Sequence, residues 1–226
     1  NGIWAMGSAE AAEMAKLAET TYRDVNIGLA NQFALFAEKS GIDIRSVIEA
    51  CNSQPYSHIH IPGIAVGGHC IPVYPRLYLW NDPDASIVEA ARSANAGMPS
   101  RAVQRVLEQV GSLDGRDVAV LGAAYRGGVK ETAFSGVFPL VSLLQEHGAS
   151  TYVHDPLYTA EELRELGFEP YFRGQRANVV IVQADHSAYL DWKSEDCPGA
   201  SLLFDGRGYL DPHRWEPECS YFRIGV

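Results

Sequence analysis

Cysteine is scarce and scattered. The 226-residue chain has four, at 51, 70, 197 and 219, with no CxxC pair. That excludes a small disulfide scaffold and fits a reducing compartment. Basic charge is scarce too. Eighteen Lys and Arg against 28 Asp and Glu leave a net charge of −10. Global electrostatics therefore disfavour nucleic acid or an anionic membrane as partners. An anionic small ligand needs only a few local Arg or Lys and stays open. No apolar run approaches the ~20 residues of a membrane span. No secretory leader is visible, so a cytoplasmic location is expected. There is no internal repeat and no low-complexity tract, and the dinucleotide fingerprint GxGxxG is missing. The chain opens Asn1-Gly2-Ile3-Trp4-Ala5-Met6-Gly7-Ser8 with no initiator methionine. Residues 1–8 are read as a leader or remnant, and the chain as the C-terminal part of something longer.

What is present is ordinary globular material. At 226 residues and 46% hydrophobic, one or two domains with a sizeable core are expected. Met14, Ala18, Tyr22, Val25, Leu29, Phe33 and Phe36 recur at three- and four-residue steps, which predicts one long helix over 9–38. Ser8 is a fair N-cap and Gly41 a stop. Such an apolar stripe serves core packing or an oligomer interface. Asp43 caps a second helix to about Cys51, a loop covers 52–75, and residues 84–111 read as helical with a break near Gly97-Met98-Pro99. This stretch, 9–112, is the expected helical central domain.

Composition changes at Leu113-Asp114-Gly115. Four apolar runs read as buried parallel strands: Val118 to Gly122, Ser150 to His154, Asn178 to Gln183, and Ser201 to Asp205. Helices are expected from about Phe134 to Glu146 and over about 159–166. Strands alternating with helices predict an α/β fold, a doubly wound parallel-sheet Rossmann-like domain over 113–226. Ligands in such folds sit at the carboxyl ends of strands. The loop after Gly122, Asp185-His186 and Asp205-Gly206-Arg207-Gly208 lie there.

Three stretches carry candidate chemistry. Val66-Gly67-Gly68-His69-Cys70-Ile71-Pro72 puts a thiol on a loop whose paired glycines let a ligand approach the backbone, as covalent catalysis requires. A buried structural cysteine beside a tight turn is the plain alternative. Lys16, Glu19 and Arg23 share a helix face, either as a solvated ion-pair row or beside a site, with Asn26 a turn further on. After the first strand, the glycines of 122–128 could accept a phosphate through backbone N–H groups, with Arg126, Lys130 and Arg207 supplying charge. His58, His60 and His69-Cys70 suggest a further reading, a zinc site, although the spacing matches no standard signature.

Together these residues resemble the UDP-glucose/GDP-mannose dehydrogenase family, nearest to its UDP-N-acetylmannosamine and UDP-N-acetylglucosamine dehydrogenase branches. Ala12 to Asn31 looks like the family's dimerisation helix. Pro62 to Pro72 looks like its catalytic-cysteine loop. Val120-Leu121-Gly122, Tyr125-Arg126 and Asp205-Gly206-Arg207 look like its C-terminal UDP-binding domain. The resemblance implies an NAD-dependent, four-electron oxidation of a UDP-sugar C6 alcohol to the acid. Cys70 would form the thiohemiacetal and thioester, and Lys16 would stabilise the oxyanions. Thr20 and Asn26 are weaker positioning candidates. Gly67 and Gly68 would admit the sugar, and Arg126, Lys130 and Arg207 would hold the phosphates. It also implies a homodimer through helix 9–38, a part in polysaccharide biosynthesis, and an NAD site largely in an N-terminal domain not contained in this sequence.

The sequence departs from the family pattern at four positions. Thr20 stands where the family has Asn, Tyr74 where it has the Asp four residues after the cysteine, Arg126 where it has Lys, and Ala133 where it has Arg. A catalytically degenerate nucleotide-sugar binder is therefore the alternative reading.

Overall fold

The computed structural model describes residues 2–226. Asn1, the first residue of the expected leader, lies outside them; residues 2–7 are exposed and outside any helix or strand. Five helices come first: α1 (Ala9–Ser40), α2 (Ile44–Asn52), α3 (Tyr74–Asn81), α4 (Ser86–Ala96) and α5 (Met98–Val110). An alternating part follows: β1 (Asp117–Leu121), α6 (Val137–Glu146), β2 (Ser150–His154), α7 (Ala160–Glu165), β3 (Val179–Val182), β4 (Leu202–Asp205) and β5 (Ser220–Arg223).

The caps of α1 are those its sequence suggests. The Ser8 hydroxyl accepts from the Ala11 amide, and Gly41 ends the helix at φ 64°. An L side chain is strained there, and glycine is not. Asp43 caps α2 by accepting from the Arg45 amide.

The orientation of α1 is less expected. Its buried residues are small or polar: Thr20, Thr21, Asp24, Gly28, Ala30, Asn31, Ala34 and Ala37. Met14, Tyr22, Leu29, Phe33 and Phe36 of the apolar stripe are exposed. Small residues are required inside because α4 crosses closely. A Cβ on Gly28 would stand 3.1 Å from Ala91. Core packing is thus not the stripe's role within the chain.

All five strands are parallel, in the order β2-β1-β3-β4-β5. Alternate strand residues serve two cores. Val118, Val120, Val179, Ile181, Leu202 and Phe204 pack with α5, α6 and the central helices. Ala119, Leu121, Val180, Val182 and Leu203 pack with Tyr171, Tyr189, Trp192 and Trp215. Each large aliphatic side chain so buried contributes roughly 1.5–3 kcal/mol. The second face is covered mainly by short 3₁₀ turns and aromatic side chains, where a doubly wound sheet would carry further α-helices.

Two elements were not foreseen. Helix α3 starts inside the expected loop, with Pro75 in its first turn. Strand β5 adds a half-buried edge to the sheet.

Chain direction from β1 reverses between β2 and β3, so the crevice beyond β1 and β3 is the topological switch point. The loops 122–136 and 183–186 close it, and the cysteine loop docks against the first of them.

Candidate active site

The cysteine loop is held by backbone and by close contact. The Ile64 amide donates to Gly206 O (3.0 Å) at the end of β4, and the Gly68 amide to Ala133 O (2.8 Å) in the loop after β1. The two glycines are needed for this docking. A Cβ on Gly67 would lie 2.6 Å from the Tyr125 Cβ and 2.8 Å from Phe134 O. Gly68 has φ 90° and faces the Tyr125 ring. His69 Nε2 and Glu131 Oε2 pair at 3.0 Å. That hydrogen bond is the main reason the Glu131 carboxyl is held below its ordinary value.

Cys70 itself is half-exposed. Its carbonyl accepts from the amide of Tyr74, the first residue of α3, at 2.9 Å. The loop also forms one wall of a cleft of about 350 Å³. Val66, Pro72, Phe134 and Phe138 give it a mainly apolar lining, with Arg76 and the Asp24-paired Arg92 at its wall.

Lys16 reaches Tyr74 from α1. Its Nζ stands 5.3 Å from the centroid of the Tyr74 ring. The shared face read from the sequence is present. Lys16 pairs with Glu19 at 3.3 Å and Glu19 with Arg23 at 3.5 Å. These pairs are about half exposed, so each is worth little for stability.

Thr20 does not reach this site and is corrected here. It is fully buried, and its hydroxyl donates back to Lys16 O (2.8 Å) and Leu17 O (3.2 Å). A short β-branched side chain in a helix finds those carbonyls first.

Asn26 turns to the segment that leads into the cysteine loop. Its amide donates to His58 O (2.9 Å) and its Oδ1 accepts from the His60 amide (2.9 Å). Asn52 grips Ile59 between them in the same way. Asn26 therefore shapes the approach to Pro62-Gly63. Asn31 accepts from the Gly63 amide, and Asn95 ties Asn31 to the buried Asp24–Arg92 pair. Burial raises the Asp24 carboxyl more than Arg92 and Asn95 lower it. Among the described residues no group of three or more His, Cys, Asp or Glu stands together to hold a metal ion.

In the switch-point crevice, the expected backbone cradle is already filled. Asp155 Oδ2 accepts from the Ala123 and Ala124 amides at 2.9 Å each, and from His186 Nε2 at 3.1 Å. Asp185 accepts from the Gly127 amide (2.8 Å), and His186 Nδ1 from that of Gly128 (3.3 Å). The Tyr125 amide goes to Glu131 O. Burial by itself would raise Asp185, but the Gly127 bond and the Arg207 charge outweigh it and keep its carboxyl low. Gln183 completes the set: its Nε2 donates to Gly122 O and Ala124 O and stands 3.1 Å from the Ser135 hydroxyl. These amides are not free for a phosphate.

Of the three candidate cations, Arg126 is exposed with its guanidinium 5.8 Å from the Tyr125 ring centroid. Lys130 pairs with Glu162 and stands over Tyr158. Arg207 is half-buried and donates to Gln183 O (2.7 Å) and Tyr125 O (3.0 Å). Burial holds its guanidinium below its ordinary value against the pull of Asp185 and Asp205. Arg207 and Arg126 both touch Tyr125, beside the cysteine loop, Arg207 at its carbonyl and Arg126 at its ring and hydroxyl. Lys130 turns toward α7.

Asp155, Gln183 and Glu131 were not singled out from sequence, whereas Asp185-His186 was placed at a strand end where ligands sit.

Comparison with known proteins agrees with this architecture. The chain matches the central domain of the UDP-glucose/GDP-mannose dehydrogenase family over residues 10–97, and that family's UDP binding domain over residues 119–212. It belongs to that family. Among its relatives is the UDP-N-acetyl-D-mannosamine dehydrogenase of Methanocaldococcus jannaschii, 33% identical over 93% of this chain and 50% of the relative. The structure of the UDP-D-ManNAc dehydrogenase from Pyrococcus horikoshii superposes with a TM-score of 0.79 at 30% identity, over 96% of this chain and 52% of that one. A UDP-glucose dehydrogenase from Pyrobaculum islandicum gives 0.84 at 26% identity, over 95% and 51%. The chain thus spans about half the length of the relatives it matches.

Proposed function

We propose that this chain is the sugar-holding and nucleophile-bearing part of an NAD-dependent nucleotide-sugar 6-dehydrogenase acting on a UDP-sugar. The observation that supports the reading is made through Tyr74: its amide donates to Cys70 O, and its ring lies 5.3 Å from the Lys16 ammonium brought by α1, while the cysteine loop docks through Gly67 and Gly68 on the UDP-binding domain.

A thiol there can add to a sugar C6 aldehyde, giving a thiohemiacetal, and in the oxidised state a thioester that water cleaves. Lys16 would stabilise the oxyanion of each adduct, an effect worth ~3 kcal/mol when the donor is well oriented. Arg126 would take the diphosphate by side-chain contacts, since the named backbone amides are occupied, and Arg207 would add only the N–H groups not given to Gln183 O and Tyr125 O. Lys130 would join only by leaving Glu162.

The NAD that the oxidation requires does not fit the residues described. No GxGxxG follows β1, and Asp155 fills the amides at its end. No hydride step is therefore derived from this chain, and by itself it is proposed not to turn over. The exposed face of α1 is proposed to pair with a second copy.

Titrating UDP-N-acetylmannosamine and UDP-glucose into the chain tests the binding half of the reading. Joining the chain to the N-terminal half of the Pyrococcus horikoshii relative tests the chemistry. Two NADH per sugar, lost with Cys70→Ala, is the expected result. Binding without oxidation would instead favour a nucleotide-sugar binder, a reading motivated by Tyr74 and by the inward-turned Thr20.

A further inference from the structure

The side chain facing Lys16 from α3 is an aromatic ring. We propose that Tyr74 is a positioning residue whose ring face holds the Lys16 ammonium beside the Cys70 turn. The inference rests on the reading of Cys70 and Lys16 as partners, and adds what keeps them together.

Geometry supports it from both sides. Tyr74 is fixed by its amide bond to Cys70 O at 2.9 Å, and the next residue, Pro75, is buried and locks the first turn of α3. Its ring is half-buried, with Lys16 Nζ 5.3 Å from the centroid. That is within the range over which the ring quadrupole attracts a cation. Lysine on a bare helix face samples many rotamers. Glu19, three residues on, draws the ammonium along α1 at 3.3 Å. The ring draws it across to α3, where the cysteine turn lies.

The chemistry of the ring also matters. A carboxylate in this position would hold the lysine by cancelling its charge. A neutral ring holds it and leaves the charge available to an oxyanion forming on the thiol's substrate. Tyr74 thereby separates two tasks, placing the cation and balancing it.

The test reads local charge at the thiol and needs no turnover. Cys70 in the whole chain is alkylated with iodoacetate and with iodoacetamide. Peptide mass spectrometry follows both rates, and Cys51, the other half-exposed thiol, serves as reference. The ratio of the two rates reports the cation, because only iodoacetate is charged. A unit charge that comes within about 6–7 Å of a thiol in water changes such a ratio about threefold.

Lys16→Met is expected to lower the ratio about threefold, Tyr74→Leu to lower it by a similar factor, and Tyr74→Phe to keep it. Tyr74→Trp, with a stronger ring face, is expected to raise it and serves if Tyr74→Leu does not fold. A drop with Lys16→Met and none with Tyr74→Leu, or no change across Phe and Trp should Leu not fold, overturns the role of Tyr74 alone. No change with Lys16→Met overturns the pairing of Lys16 with Cys70, and this inference with it.

Discussion

Asp155→Asn is the sharpest test of how the switch-point crevice is built. Asp155 is almost wholly buried. One of its oxygens accepts from Ala123, Ala124 and His186, and the other from the Leu157 amide at 2.9 Å. An asparagine has one acceptor oxygen. Set toward the three donors, it turns its own NH₂ against the Leu157 N–H. Bonds to a charged acceptor are worth ~1.5–3 kcal/mol net and neutral ones ~0.5–1.5, so three weaken by about 1 kcal/mol each. The opposed pair adds about 1–3 kcal/mol, for a total of about 4–6 kcal/mol at pH 7. In a protein of this size that lowers the melting temperature by about 10–20 °C.

The loss should depend on pH with a definite sign. Burial by itself would raise the Asp155 carboxyl, but the bonds from His186, Ala124 and Leu157 outweigh it and hold it below 3.8. A depressed carboxyl contributes stability above its unfolded value and loses it as pH falls through the folded one. The deficit of the variant should therefore be full above about pH 5 and shrink below it. Urea unfolding followed by circular dichroism at several pH values measures both. A deficit under 1 kcal/mol at pH 7, or one unchanged down to pH 3, would refute the reasoning.

Three further outcomes are expected. Arg92→Met strands the buried Asp24 carboxylate and should cost about 3–5 kcal/mol at neutral pH in urea unfolding. That loss should narrow in acid, where the already raised Asp24 carboxyl takes up a proton. Gly67→Val drives side-chain carbon into Tyr125 and Phe134 O. It should cost about 1–3 kcal/mol and open the cysteine loop to limited proteolysis. Phe36→Glu, on the exposed face of α1 at 66% exposure, should abolish any concentration-dependent dimer seen by sedimentation and leave the monomer's helix content intact.

Much of the fold was legible because it rests on local signals. The β1, β3 and β4 runs are apolar throughout and β2 alternates, as the sheet's two faces require. Ser8, Gly41 and Asp43 are caps whose function is set within a few residues. Helix α3 was hidden by its shortness and by Pro75, which reads as a breaker yet suits a first helical turn. Strand β5 was hidden by polarity: as an edge, Ser220 to Arg223 need bury only part of each side chain. The stripe on α1 showed the helix but not which way it faces, since that depends on Ala91 pressing on Gly28 from α4.

At the site the same division holds. The glycines and the thiol of the cysteine loop are neighbours in sequence and could be seen together. Asn26 grips His58 and His60, Asp155 fills the amides after β1, and Lys130 turns to Glu162, all through long-range contacts that no local spacing encodes.

The docking of Gly67 and Gly68 on Tyr125, Ala133 and Phe134 has a consequence for how such chains can be recombined. The composition break near Leu113 looks like a natural crossover point for exchanging halves between relatives. A crossover there would bring together a cysteine loop and a 122–136 loop shaped for different partners. The bare face at Gly67 admits Tyr125 at contact distance, so a bulkier residue on either side would lift the thiol off its seat. Residues 62–72 and 122–136 therefore form a single packing unit. A successful hybrid would take both from one parent.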